Sequence, residues 1–172
     1  MNSELRREQI LNMINSQTSP ISASALAKLL NVSRQVIVGD VALLRAQGEK
    51  IIATARGYII SEFKDAHSYL GKVACCHPRE NTKSELYTMV DLGATVVNVI
   101  VEHELYGEIT GGLNLSSQGD VDNFMKKADI SKAKLLSELT LEVHLHTIAC
   151  RDKSHFERVC KALEDSGYMF KN

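Results

Sequence analysis

The segment LEVHLHTIAC, residues 141–150, sets His144 and His146 two positions apart in a run otherwise built from Leu141, Val143, Leu145 and Ile148. In a strand, side chains at i and i+2 share a face with their Cα atoms about 6.5–7 Å apart, so two imidazoles can converge on one ion. The same pair also suits an exposed or internally satisfied sheet face, and the chemistry therefore depends on further donors. His77 closes an apolar run and precedes Pro78, and Glu85 follows eight residues later on a predicted helix. If the strand ending at His77 lies near the strand 141–150, then His77, Glu85, His144 and His146 form a site of three imidazoles and one carboxylate. Those nitrogen and oxygen donors suit zinc, nickel, iron or manganese, and an open position there accepts a ligand. Glu85 has a second reading, because Thr82-Lys83-Ser84-Glu85 also has the spacing of a helix capping box.

Other reactive side chains divide into candidates and bystanders. In Glu102-His103-Glu104-Leu105-Tyr106-Gly107, His103 suits either a ligand pocket or an exposed turn. Tyr106 suits either a cover over a flat ring or sheet packing. His67, in a polar bridge, and His155, at a helix start, need no function. Cys75, Cys76, Cys150 and Cys160 show no CxxC spacing; buried packing is the expected role, ahead of a disulfide or a thiolate metal site. No HExxH or HxE…PCxxC pattern is present, which argues against a metal-dependent hydrolase or deaminase.

A different chemistry is written near the N-terminus. Ser33, Arg34 and Gln35 open a predicted helix. In a DNA major groove, Arg reads guanine and Gln reads adenine with two hydrogen bonds each. Ser33 and Arg56 are better suited to phosphates.

The elements that position these residues follow from periodicity. Ile10, Leu11 and Ile14 stripe a first helix. Ala25, Leu26, Leu29 and Leu30 stripe a second, capped by Ser22 or Ser24. A turn at Asn31-Val32 leads to a third helix, capped by Ser33, with Ile37, Val41 and Leu44 inward and Gly48 just past its end. Two apolar runs around Arg56-Gly57 read as a hairpin with a basic tip. Helix, helix, recognition helix and hairpin make a winged helix-turn-helix. Gly39 sits inside the recognition helix, where glycine costs about 1 kcal/mol relative to alanine.

A polar bridge at 62–67 separates this part from a second pattern. Strands are predicted at 71–76, 95–102, 106–114, 141–150 and 167–171. Helices are predicted at 81–92, 117–129 and 154–166, the last opened by a Ser154–Glu157 capping box. Residues 130–140 receive no assignment. The expected architecture is α+β: a winged helix-turn-helix domain at 1–64 and an α/β sandwich of ferredoxin-like βαββαβ order at 68–172. The net charge of −1 splits into +2 over residues 1–65 and −3 over 66–172, which permits a DNA-binding head on a neutral-to-acidic body. No run of about 18 apolar residues is present, and the N-terminus lacks the apolar core of a signal peptide. The expected location is cytoplasmic, with no membrane partner.

LAKLLNVSRQVIVGDVALLRAQG resembles the biotin-repressor type of winged helix-turn-helix over residues 3 to 62. ACCHPRENTKSEL, VVNVIVEHELYGEI and VHLHTIA together resemble the three-histidine domain of niacin-responsive repressors of NAD biosynthesis genes, so the similarity spans essentially the whole chain. The resemblance implies a dimeric repressor of operator DNA. It also implies a divalent metal at His77, Glu85, His144 and His146, and nicotinic acid or a close relative as corepressor. Gly39 departs from the family, which usually carries a long polar side chain there. A plain metal sensor remains the competing regulatory reading, with a metal-dependent enzyme behind it.

Overall fold

Three short polar residues set the N-terminal helices. Asn2, Ser22 and Ser33 each accept a backbone N–H in the first turn of α1 (Ser3–Asn15), α2 (Ala23–Leu30) and α3 (Arg34–Ala46), satisfying donors that the helix cannot. Ser22, rather than Ser24, caps α2. Asn31 takes a left-handed φ of 52° between α2 and α3, and Gly48 takes 101° beyond α3, as a C′ glycine does. Ile10, Ile14, Leu26, Ile37, Val41, Leu44 and Ile51 form one buried cluster. At its edge Arg6 Nε donates to Asp40 Oδ2 at 2.6 Å, tying α1 to α3. The wing is β1 (Ile51–Thr54) paired antiparallel with β2 (Gly57–Ile60). Ile21 and Tyr58 exchange backbone hydrogen bonds at 2.9 and 2.8 Å. That contact explains Gly57, whose φ is 137° and where a Cβ would lie 2.3 Å from the Ile21 carbonyl oxygen.

This is a computed structural model, and it describes residues 2–60 and 69–171. The chain divides into two compact units, residues 1–63 and 64–172. The polar bridge at 62–67, and His67 with it, lies outside the described residues. No described helix is long and apolar enough to cross a membrane.

The second unit runs β3 (Tyr69–Cys76), a 3-10 turn Arg79–Asn81, α4 (Thr82–Asp91), β4 (Thr95–His103), β5 (Gly107–Leu115), α5 (Gln118–Ser131), a 3-10 turn Leu136–Leu139, β6 (Val143–Cys150) and α6 (Lys153–Asp165). The expected βαββαβ order along the chain is present. In space the strands lie β3-β6-β4-β5, every neighbour antiparallel. The last strand therefore occupies the interior, between β3 and β4. Val73, Cys75, His144, His146 and Ile148 are buried on one face, the face that β-strand alternation assigns them together. Ile148 thus shares the histidines' side of the strand.

Four local expectations change. β6 starts at Val143: Leu141 and Glu142 have φ of 51° and 70°, outside strand geometry, and Leu141 is 91% exposed. α6 is capped by Asp152, which accepts from the His155 N–H at 2.7 Å, so the Ser154–Glu157 box does not form. The predicted strand at 167–171 contracts to one bridge, Cys75 with Met169. Residues 130–140 are the end of α5, a loop and the second 3-10 turn.

Candidate functional site

Each of the three histidines is oriented by a backbone carbonyl. His77 Nδ1 lies 3.0 Å from Pro78 O, His144 Nδ1 2.7 Å from Glu142 O, and His146 Nδ1 2.8 Å from Asn98 O. A carbonyl only accepts, so Nδ1 carries the proton in all three rings, and a neutral ring then presents a bare Nε2 lone pair. Two irregular features aim the Glu142 and Asn98 carbonyls. The left-handed pair Leu141 and Glu142 turns the chain just before β6, and a β-bulge between Val96 and Asn98 re-aims β4.

The three Nε2 atoms meet at Glu85. Its carboxylate oxygens lie 2.8 Å from His77, 3.2 Å from His144 and 3.4 Å from His146. All four residues are at most 5% exposed. Glu85 reaches this point from the first turn of α4, packed over the sheet. The Thr82 N–H bonds to Arg79 O, so the capping-box reading of Glu85 does not hold.

The cluster is short of donors. His77 Nε2, His146 Nε2, Glu85 Oε2 and Thr82 Oγ1 are buried without a hydrogen-bond partner among the described residues. The 2.8 Å approach of His77 to Glu85 becomes a hydrogen bond only if the ring gains a second proton. Lone pairs gathered in a dry site require cations: either protons or a metal ion. The electrostatics have the same sense. Burial alone would raise the Glu85 carboxyl, but His146, His144 and His77 outweigh it and hold it well below the usual carboxylate range. Burial pulls His77 and His146 down, and Glu85 overrides it and raises both. Three imidazole nitrogens and a carboxylate are a donor set for a divalent transition ion, and the carbonyl-fixed tautomers are the outer support such sites use.

Surrounding groups stiffen the cluster. Arg79, two residues past His77, donates to Asp129 at 3.1 Å, Glu138 at 2.8 Å and Ala133 O at 3.1 Å. Tyr168 stands edge-on to His77, ring centroids 5.5 Å apart, and donates to Ser84 Oγ at 2.6 Å.

Sequence reasoning passed over Asn98 here and ranked packing ahead of a metal role for Cys75. Asn98 holds His146 through its carbonyl and the Thr147 N–H through its side chain; only the bulge reveals it. Cys75 Sγ, a Glu85 oxygen and a His144 nitrogen lie within 4.8 Å of one another. The i, i+2 spacing of Cys75 and His77 was the available signal. His155 is likewise no bystander: it is buried, accepts from the Arg151 N–H at 3.1 Å and donates from Nε2 to Leu92 O at 2.7 Å.

His103 and Tyr106 lie elsewhere. They share the β4–β5 turn, ring centroids 5.2 Å apart, where His103 Nδ1 accepts from the Leu105 and Tyr106 N–H groups. Tyr106 is 73% exposed. Val99 is the β4 partner of His146, and His103 lies four residues further on, about 13 Å along the strand.

In the other unit, Ser33, Arg34 and Gln35 are exposed together at the start of α3. The Ser33 Oγ accepts from the Val36 N–H at 3.3 Å, leaving its own O–H to donate. Arg56 lies in the β1–β2 turn, half-buried, its N–H bonded to Thr54 Oγ1.

A winged helix-turn-helix joined to a sheet that gathers three histidines defines a DNA-binding regulator with a 3H domain. Residues 6–59 match the HTH domain, and residues 71–172 match the 3H domain. Transcription repressor NadR of Bacillus subtilis strain 168 is 40% identical over 169 residues, 97% of this chain and 94% of its own length. Probable transcription repressor NiaR of Thermotoga maritima is 40% identical over 164 residues, 95% of this chain and 93% of its own. The chain belongs to this family of DNA-binding transcription repressors, which are not enzymes.

Proposed function

We propose that this protein is a nicotinic-acid-dependent repressor of NAD biosynthesis or niacin uptake genes. In this reading His77, Glu85, His144 and His146 hold one divalent transition ion. The observation that carries the metal is the convergence of buried lone pairs with no donor among the described residues to meet them. A bound ion supplies a Lewis-acid position that a pyridine nitrogen or a carboxylate can occupy. The effector itself comes from the three motifs shared with niacin-responsive repressors; His103 and Tyr106, standing apart from the cluster, are left out of its contacts.

On the DNA side, a cytoplasmic homodimer would place two α3 N-termini in successive major grooves, about 34 Å apart. Arg34 and Gln35 would read bases, and Ser33 and Arg56 would hold phosphates. The corepressor must bind the DNA-competent state more tightly than the other. Gel shifts on a NAD-biosynthesis promoter, run with and without nicotinic acid and with and without chelator, test the whole reading. Retention that is indifferent to nicotinic acid removes the corepressor. The near-complete burial of the donors supports a second reading, a regulator whose signal is the ion. Retention that follows metal alone decides for it.

A further inference from the structure

We propose that Cys75 supplies a fifth donor, a thiolate sulfur, to the ion held by His77, Glu85, His144 and His146. The inference rests on the metal reading above and adds to it a residue that sequence reasoning assigned to packing.

Cys75 is the register partner of His144 across β3 and β6, and Val73 is the partner of His146. Paired residues of an antiparallel ladder face the same side, so Cys75 lies on the cluster's side of the sheet, two residues before His77. It is fully buried, with its sulfur within 4.8 Å of a Glu85 oxygen and a His144 nitrogen. Cys76, on the alternate face, is not. A separate observation concerns the same cluster: His77 Nε2, His146 Nε2 and Glu85 Oε2 are buried without hydrogen-bond partners among the described residues. Glu85 joins the two sets: its carboxylate lies within 4.8 Å of the sulfur and 2.8 and 3.4 Å from His77 and His146 Nε2.

Charge favours the same arrangement. Before any effector binds, a divalent ion with three neutral imidazoles and one carboxylate leaves one net positive charge in a buried site, and such a charge is costly. When the ion binds, the Cys75 S–H bond breaks, the proton leaves to solvent, and both electrons remain on sulfur to form the S–metal bond. The site is then neutral. Its selectivity changes as well. Imidazole and carboxylate alone admit manganese readily, whereas a soft thiolate favours zinc over manganese.

The decisive experiment is X-ray absorption at the zinc edge on the full-length, zinc-loaded protein without any substitution. A sulfur scatterer at about 2.3 Å beside nitrogen and oxygen at about 2.0–2.1 Å is expected. A shell of nitrogen and oxygen alone overturns the proposal and leaves the metal reading standing. Failure to take up zinc at all overturns both. Cobalt substitution gives an independent readout. The native protein should show an intense near-ultraviolet thiolate-to-cobalt band, and Cys75→Ser should lose it while retaining the weaker visible bands. Cys75→Ser should also lower zinc affinity by about 10–100-fold with much less effect on manganese. If Cys75 only donates an S–H hydrogen bond to Glu85, both metals weaken equally and no charge-transfer band is seen.

Discussion

Glu85 Oε2 lies 2.8 Å from His77 Nε2, on a ring whose other nitrogen already faces the Pro78 carbonyl. Two acceptors at that separation are held together only by a cation between or beside them. On the proposed reading that cation is a metal and not a shared proton, so purified protein is expected to carry about one divalent ion per chain. The His144→Ala/His146→Ala double variant should lose it. Elemental analysis is the check, and equal metal content in the two proteins would refute the site. Glu85→Gln should lose the metal too, because it removes the only fixed negative charge among the four proposed ligands.

The metal-free and metal-loaded proteins should respond to pH in opposite senses. Without metal, the raised His77 and His146 add stability that is complete below their ordinary 6.5 and is lost as pH climbs through their raised values. The lowered Glu85 adds stability that is present above its ordinary 4.5 and is lost as pH falls through its own lowered value. The chelated protein is thus most stable in the mildly acid range between. With metal, protons compete for the same Nε2 atoms, so stability rises with pH across that range. Thermal melts of both forms over a pH series test this, and parallel profiles would count against it.

Much of this was legible because it is periodic. The i, i+4, i+7 stripe of Ile37, Val41 and Leu44 and the i, i+2 pair of His144 and His146 are written in spacing alone. What was not legible depends on departures from regular geometry. The left-handed pair Leu141 and Glu142 moved the start of β6, and the bulge in β4 brought the Asn98 carbonyl to His146. Competition also hid features. Ser154 and Asp152 both have cap chemistry at the start of α6, and Asp152 forms the cap. His103 and Tyr106 stayed open between a pocket and a turn because nothing in spacing separates the two; their rings lie together at the β4–β5 turn.

Gly39 is exposed, and a Cβ there would meet nothing within 4 Å. The fold does not need a glycine at this position. Gly39→Ala should raise stability by about 0.5–1 kcal/mol. Gly39 lies one turn beyond Gln35 on α3, so the same change should weaken operator binding. Melting and gel-shift measurements on one preparation separate the two effects; unchanged affinity would deny Gly39 a role in DNA approach.

Arg34→Ala should cost about 1–3 kcal/mol in operator affinity and relax base preference at one position per half-site. Arg56→Ala should weaken all sequences alike and flatten the dependence on salt. Competition binding with operator and scrambled duplexes over a salt series distinguishes them. Identical behaviour of the two variants would be evidence against the assigned roles.

His155→Leu is close in volume but strands Leu92 O and the Arg151 N–H. It should destabilise the C-terminal unit by about 1–3 kcal/mol while leaving metal stoichiometry unchanged. Denaturant melts beside elemental analysis make the comparison. A variant of native stability would mean that the two hydrogen bonds contribute nothing.

The place of β6 between β3 and β4 has a consequence in the order of synthesis. β3 and β4 do not pair with each other; β4 can pair with β5 as soon as it is made, but β3 and the other edge of β4 wait for residues 143–150, which the ribosome makes late. The DNA-facing unit has its own core, whose described members end at Ile60. At about 5–20 residues per second, roughly 4–17 s separate the two events. During that interval the nascent chain holds a finished recognition helix without the histidine cluster that the proposed reading assigns to its control.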